Sequence, residues 1–253
     1  MSESIPVFSQ EELVRYSKHL MLPKFGYKAQ KKIKAAKVLV IGAGGLGCPL
    51  LMYLAAAGLG TIGIVDFDKV EENNLQRQIL YASQDVGKLK VDVAKQKLLN
   101  LNPHINIEIF GTSFTAENAN ELLKDYDIIA DCTDNFSTRY LINDASVKAG
   151  IPSVYASVNQ FQGQVSVFNL KDKNGNIGPN YRNLYPESSS TETIANCSEA
   201  GVLGVLSGII GSIQANEIIK IITDIGETLN GKLLVFDALN YTTQLFRIEL
   251  HQS

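Results

Sequence analysis

Apolar residues along this chain fall into short continuous runs separated by segments of helical period, the alternation expected of a parallel α/β fold. Val38 to Ile41 reads as a buried strand, and a helix then leads to a second apolar strand ending at Asp66. Upstream, Ser9-Gln10-Glu11-Glu12 fits a capping box, which predicts a helix from residue 10 to just before Pro23. A second, basic helix near residues 26–36 enters the first strand. After Asp68 the stretch KVEENNLQRQILYASQDVG is polar and aperiodic, which predicts a loop with short helical turns. Val86 to Leu101 is amphipathic and helical, stopped by Asn102-Pro103. Ile105 to Phe110 alternates as a strand, Ala116 to Lys124 reads as a helix, and Asp127 to Asp131 as a short buried strand. Arg139 to Ala149 is helical and ends at Gly150, with strands near 153–157 and 163–168 beyond it.

Residues 171–200 break this rhythm, being polar, rich in Asn, Ser, Pro and Gly, and nearly free of aliphatics. Such a stretch inside a compact domain is usually functional or disordered. Val202 to Thr223 then predicts a long buried helix whose Gly204, Gly208 and Gly211 permit close packing. Two last strands, Lys232 to Phe236 and Thr243 to Leu250, are joined tightly enough to be antiparallel. The expected fold is α/β: a Rossmann-like, mostly parallel sheet extended by antiparallel C-terminal strands, with helices on both faces. It is read as one domain over 1–253, with a long crossover loop at about 171–200.

Composition narrows the classes. At 253 residues, 45% hydrophobic and 19% charged, the chain suits an ordinary globular protein. A net charge of −3 supplies no bulk footprint for nucleic acid. The eight Lys/Arg of residues 1–37, against three Glu, read equally as a solvated face or as one turned to phosphate or a partner. Three separated cysteines suggest no disulfide framework, and the acidic N-terminus has no signal-peptide pattern, so a cytoplasmic setting is expected. The most apolar run, Val202 to Ile213, is too short to span a bilayer, and no membrane partner is expected.

Chemistry concentrates at the glycine turn. Gly42, Gly44 and Gly47 form G-x-G-x-x-G after a strand and before a helix, where backbone can approach a phosphate at a helix N-terminus. Asp66, nineteen residues on, is placed for a ribose. By itself the turn favours NAD(H). Three further groups fit hydride transfer poorly: Asn73-Asn74-Leu75-Gln76-Arg77-Gln78 beyond Asp66 and Asp68, Gly87-Lys88-Leu89-Lys90 at a helix start, and Asp131-Cys132-Thr133-Asp134-Asn135 at a strand's carboxyl end. Lysines at a helix N-terminus are locally unfavourable, a cost that a neighbouring polyphosphate reverses. An Asp at the sheet's carboxyl edge can hold Mg²⁺. Singly, surface amides, solvated lysines and a capping Asp explain each group; jointly around one crevice they point to a nucleotide polyphosphate.

VLVIGAGGLG, VDFDKVEENNLQRQ, VGKLKV, DCTDNFSTRYLIND, GQVSVF, CSEAGVLGVLSGIIGSIQANEIIK and LLVFDAL resemble, in order, the E1-like adenylyltransferases, the MoeB/ThiF/HesA group most nearly. The resemblance runs from about Arg15 to the C-terminus. It implies ATP-dependent adenylation of the C-terminal glycine of a small ubiquitin-like sulfur carrier ending in Gly-Gly, for molybdenum cofactor, thiamine or related sulfur transfer. It further implies a homodimer and a sulfurtransferase or cysteine desulfurase as sulfur source. Carried over, Gly45 sits against the nucleotide, Asp66 holds the ribose, Asn74, Arg77 and Lys90 hold phosphates, and Asp134 binds Mg²⁺ with Asn135 alongside.

Three positions depart from the family. The arginine usually supplied across the dimer is matched by Lys18, and Arg15, one turn earlier on the same face, is either a substitute or a structural ion-pair partner. The structural zinc usually held by two cysteine pairs is not expected, because the first pair falls at Asn180-Tyr181-Arg182-Asn183, which lacks both cysteines. Cys197 matches a cysteine that links covalently to the activated carrier in part of the family, and is alternatively a passive thiol. Cys48 and Cys132 read as small buried residues. Two other functions stay open: an NAD(P)-dependent oxidoreductase and a non-catalytic E1-like binding subunit.

Overall fold

Ser9 caps the first helix, α1 (Gln10–Arg15), reciprocally: its hydroxyl accepts from Glu12 N while Glu12 accepts from Ser9 N. The helix stops earlier than its periodicity predicts. Tyr16 leaves helical geometry (φ −91°, ψ 9°) and one further turn, α2 (Ser17–Leu20), follows. The break lets the Tyr16 ring bury and its hydroxyl accept from Asn102 Nδ2 at 2.9 Å. The computed structural model describes residues 8–186 and 201–249, so Cys197 lies outside the described residues.

The basic helix α3 (Gly26–Ala35) delivers the chain to β1 (Lys37–Ile41), α4 (Gly47–Ala57) and β2 (Thr61–Val65). Gly58 caps α4 in the left-handed region, at φ +82°. Single 3₁₀ turns at Glu72–Asn74 and Ser83–Asp85 interrupt the following loop. Helix α5 (Lys90–Leu101) starts four residues later than its amphipathic pattern. Residues 86–89 instead run back along 68–70: Gly87 N donates to Val70 O, Val70 N to Lys88 O, and Lys69 bridges Leu89. Backbone pairing wins there over helical propensity, and it places Lys90 in the first turn of α5.

Next come β3 (Asn106–Phe110), α6 (Ala119–Leu123), β4 (Ile128–Asp131) and α7 (Phe136–Ala149). The last begins three residues earlier than expected because Asn135 caps it, its Oδ1 accepting from Thr138 N at 2.9 Å. The chain then forms the hairpin β5 (Ser153–Asn159) and β6 (Gln162–Phe168), the one-turn α8 (Tyr181–Leu184), the long α9 (Gly204–Thr223), and β7 (Lys232–Asp237) with β8 (Thr242–Arg247). These strands join one sheet in the order β3-β2-β1-β4-β5-β6-β7-β8, parallel through β5 and antiparallel beyond it. The expected mixed sheet is therefore the observed one.

The parallel strands are apolar on both faces because helices cover both. Val38, Val40, Ile62 and Ile64 pack with α4, α5 and α9, while Leu39, Ile41, Val65 and Ile129 pack with α6 and α7. A third cluster, Tyr155, Phe168, Tyr181 and Leu233, fills the antiparallel side. Helix α9 is long and apolar enough to cross a membrane by length and composition. It lies against α4, β5 and β6, with Leu206, Ile210 and Ile218 fully buried. Its Gln214 Nε2 donates to the carbonyls of Asp131 and Val154, each at 2.8 Å, which is the satisfied polar contact of a core helix. A Cβ on Gly204 or Gly211 would meet the backbone of Gln76 or Leu46, whereas no atom stands within 4 Å of a Cβ built on Gly208. Close packing thus explains two of these three glycines.

The polar stretch after β6 is more ordered over 171–186 than its composition suggests. Asn180 and Asn183, at the positions where the resemblance places cysteines, cap α8 reciprocally. Asn143 Oδ1 accepts from Tyr181 N at 2.7 Å, and Arg182 forks onto Asp144 at 2.9 and 2.7 Å. Residues 187–200 lie outside the described residues.

One ion cluster gives a measurable pH signature. Asp85 accepts from Ala82 N at 3.0 Å and from Lys97 Nζ at 2.5 Å, with Lys88 nearby, and the Lys97 bond foremost holds its carboxyl below the ordinary range. A lowered folded-state pKa stabilises above the unfolded value and is lost as pH falls through the folded one. Asp85→Asn is therefore expected to cost about 1 kcal/mol at neutral pH. Denaturant unfolding at a series of pH values should show that cost shrinking below about pH 4.

Candidate active site

The strand order reverses between β1 and β4, and a cleft of about 640 Å³ opens at their carboxyl ends. This is the switch point at which open α/β sheets bind ligands. The glycine turn forms its floor, with a division of labour that the motif does not reveal. Gly42 adopts φ +96°, and a Cβ there would meet the Cys132 carbonyl oxygen at 2.8 Å. A Cβ on Gly47 would meet the Gly42 carbonyl oxygen at 2.2 Å. Those two glycines serve the tight strand-to-helix turn. Gly42, Gly44 and Gly45 line the cleft, where a Cβ on Gly45 would come within 3.0 Å of Ser207 Oγ, and Gly47 stands behind them. No side chain caps α4, but Cys48 N donates to the Gly44 carbonyl at 2.9 Å and Pro49 has no N–H, so an anion would be met by the N–H groups of the turn before Cys48.

Asp66 ends β2 at the cleft wall. Its Oδ2 accepts from Ala43 N at 2.7 Å and its Oδ1 from Asp68 N at 2.8 Å, which ties the glycine turn to the acidic loop. Burial raises its carboxyl above the ordinary range, and the Lys90 charge opposes that rise. Lys90 is itself buried, its Nζ 2.8 Å from Asp68 Oδ2, so the two cleft carboxylates share one cation. Arg77 lines the same cleft, oriented by a 3.0 Å bond from Nη1 to the Asn73 carbonyl. Across from it, the turn between β4 and α7 presents the exposed carboxylate of Asp134, with Asn135 beside it. Gln76 and Asp68 complete the expected residues found on the wall.

Several expected residues stand elsewhere. Asn73, Asn74 and Leu75 do not line the cleft. Asn74 is buried in its 3₁₀ turn, where its amide accepts from Glu71 N and donates to Asn73 Oδ1, because the turn needs a local cap. Arg15 donates to the Leu101 carbonyl at 2.9 Å and flanks a shallow groove with Val14 and His104, while Lys18 sits in α2; neither reaches the cleft of its own chain. Lys88 pairs with Asp85, outside the cleft. Cys48 and Cys132 are buried thiols whose pKa values burial pushes up, Cys48 to about 12.

The cleft also contains residues that sequence reasoning passed over. Thr112, Ser113 and Phe114 follow β3 and enter from the far side, Arg139 and Thr138 rise from α7, and Gly201, Val202 and Ser207 arrive from the start of α9. Thr138, Arg139, Gly201, Val202 and Ser207 lie within segments that carry the family resemblance, but it is the order of strands that brings them to the cleft. Gln78 Oε1 and Ser207 Oγ are buried at this wall without a hydrogen-bond partner among the described residues. Orphaned polar atoms in a cleft are what a polar ligand would satisfy.

A family model described as the ThiF family matches residues 16–253. The chain belongs to the ThiF family. It is 49% identical over 255 residues to the probable adenylyltransferase/sulfurtransferase MoeZ of Mycobacterium tuberculosis, across 98% of this chain and 65% of that protein. It is 47% identical over 232 residues to the sulfur carrier protein adenylyltransferase of Thermus thermophilus, across 92% of this chain and 86% of that protein. Among solved structures, E. coli MccB with ATP superimposes with a TM-score of 0.79 at 23% identity, over 92% of this chain and 71% of that one. PaaA superimposes with a TM-score of 0.80 at 24% identity, over 98% of this chain and 77% of that one. These structures share the ThiF fold, and the relatives place this chain among ThiF proteins named adenylyltransferases.

Proposed function

We propose that this chain is an ATP-dependent adenylyltransferase that activates the C-terminal glycine carboxylate of a small ubiquitin-like sulfur carrier. One observation carries the reading: Arg77 and Lys90 stand with Asp66, Asp68 and Asp134 around a single cleft at the sheet's switch point. The names of MoeZ and of the Thermus relative support it. A hydride-transfer enzyme has no use for that charge set, and no observation favours the NAD(P) alternative or a non-catalytic subunit.

The residues fit the nucleotide. Gly44 and Gly45 leave backbone bare at the start of α4 for a phosphate, and Asp66 keeps lone pairs for ribose hydroxyls after accepting from Ala43 and Asp68. Arg77 and Lys90 neutralise phosphate charge, Lys90 prepositioned by Asp68. Asp134, with Asn135 alongside, would hold Mg²⁺. Among the described residues no group of three or more ligating side chains exists, which suits an ion that takes one or two carboxylates and completes its shell with phosphate oxygens. When bound, Mg²⁺ neutralises charge on the departing pyrophosphate. The remaining task of the protein is alignment, since a carboxylate attacking the α-phosphorus needs orientation and electrostatic stabilisation rather than a protein nucleophile.

The same reading takes the protein as a homodimer in which Arg15 or Lys18 reaches the partner's cleft, working in the cytoplasm with a sulfurtransferase or cysteine desulfurase and without structural zinc. Cys197 would be the residue that captures the activated carrier.

Carrier-dependent exchange of labelled pyrophosphate into ATP tests the activity. Wild-type protein should exchange with a Gly-Gly-ending carrier and stop when those glycines are removed. Asp134→Ala should lose exchange by about 100-fold or more. Absence of exchange with all such carriers, together with thermal stabilisation by NAD⁺ and not by ATP, would sink the assignment.

A further inference from the structure

Arg139 is a cation where cations are costly. Its side chain is 3% exposed, in the first turn of α7 beneath the loop that carries Asp134. Burying a guanidinium is tolerable only with good geometry and compensating partners, and those that tie it to the Asp134 loop stand beside Tyr181, another neighbour of its charge. Nη2 donates to the Thr133 carbonyl at 2.9 Å. The guanidinium carbon lies 5.5 Å from the ring centroids of both Phe136 and Tyr155. Asp131, fully enclosed, sits near enough that Arg139 is the foremost group opposing the rise that burial imposes on its carboxyl.

The loop is shaped from both ends. Asp131 Oδ1 accepts from Thr133 N at 3.0 Å and from Thr133 Oγ1 at 2.7 Å, while Asn135 Oδ1 accepts from Thr138 N. Between these, the carbonyl of Thr133 belongs to the peptide that enters Asp134, and Arg139 grips it. The geometry points to Arg139 as a positioning residue for Asp134: by holding the Thr133 carbonyl it sets the peptide plane from which that carboxylate reaches over the cleft. Lysine keeps the charge but cannot donate to the carbonyl and lie flat against two rings at once. The resemblance and the cleft's charged residues leave Arg139 without a role; the hydrogen bond to Thr133 supplies one.

This inference rests on the cleft being an Mg²⁺-ATP site. The test measures ATP binding to the full chain by calorimetry, in EDTA and in saturating Mg²⁺, for wild type, Arg139→Lys and Phe136→Leu. The outcome expected for Arg139→Lys is a Mg²⁺ half-saturation raised about 10-fold, beyond any change of affinity in EDTA, the size typical of partners that orient metal ligands. Phe136→Leu removes one ring and keeps the charge, so a smaller rise in the same direction is expected, and it carries the test if the lysine variant does not fold. Half-saturation unmoved in the folded variants, or affinity lost equally with and without Mg²⁺, overturns the positioning role while leaving the nucleotide site standing. Wild-type protein whose ATP affinity ignores Mg²⁺ overturns the site reading and the inference together.

Discussion

Arg77→Ala is expected to slow carrier-dependent pyrophosphate exchange on the order of 10³-fold, a loss of about 4 kcal/mol in transition-state stabilisation. The size follows from where the side chain stands. Arg77 leaves the loop after β2 and lies along the cleft beside Gly45, whose would-be Cβ is 3.5 Å from Arg77 Cγ. One guanidinium nitrogen is spent on the Asn73 carbonyl, which fixes the side chain's direction, and on the proposed reading the rest of the planar fork meets the phosphates. Lysine should recover little of the rate, because a point charge does not replace bidentate geometry. Steady-state exchange kinetics settle the matter: a loss in KM for ATP alone, with kcat intact, would mean that Arg77 binds ground state and transition state equally.

Gly47→Ala is expected to strain the fold at the glycine turn itself. The added methyl would stand 2.2 Å from the Gly42 carbonyl oxygen and 3.1 Å from its carbon, and both are backbone atoms that cannot swing aside. The turn must open, at a cost on the order of 3 kcal/mol, which for a chain of this size lowers Tm by roughly 6–12 °C. Gly44→Ala is the control. Its methyl would find only Gln78 Nε2, at 3.7 Å, an ordinary contact, so Tm should barely move. Paired scanning calorimetry of the two variants separates a glycine needed for packing from one that faces the ligand; equal shifts would refute the distinction.

The capping box at Ser9 and the strand–helix alternation were readable because their causes are local. Period, cap and punctuation lie within a few residues of one another, and the matching elements formed where those signals stood. Two of the misplaced boundaries have tertiary causes. Tyr16 breaks its helix to reach Asn102, and residues 86–89 pair with 68–70 before α5 can begin. Asn74 illustrates the same limit at the site. Its neighbours in NNLQRQ suggest a ligand, yet its amide turns inward to complete a 3₁₀ turn, its Oδ1 accepting from Glu71 N at 3.3 Å.

From the sequence alone came the α/β class, the mixed sheet, the glycine turn with Asp66, and the set Arg77, Lys90 and Asp134. The first three rest on residue type and short spacing, which act over one or two elements; the choice of Arg77, Lys90 and Asp134 within their segments rests on the family resemblance. Tertiary structure alone decided which glycines pack and which face the cleft, that Lys90 belongs to Asp68, and that Ser207 and Arg139 reach the site at all. Those facts depend on crossings between β1 and β4 and on the docking of α9 across them. Gly45 meets Ser207 and Gly42 meets Cys132 there, and no local period encodes such distant meetings, because they are set by how whole faces bury against one another.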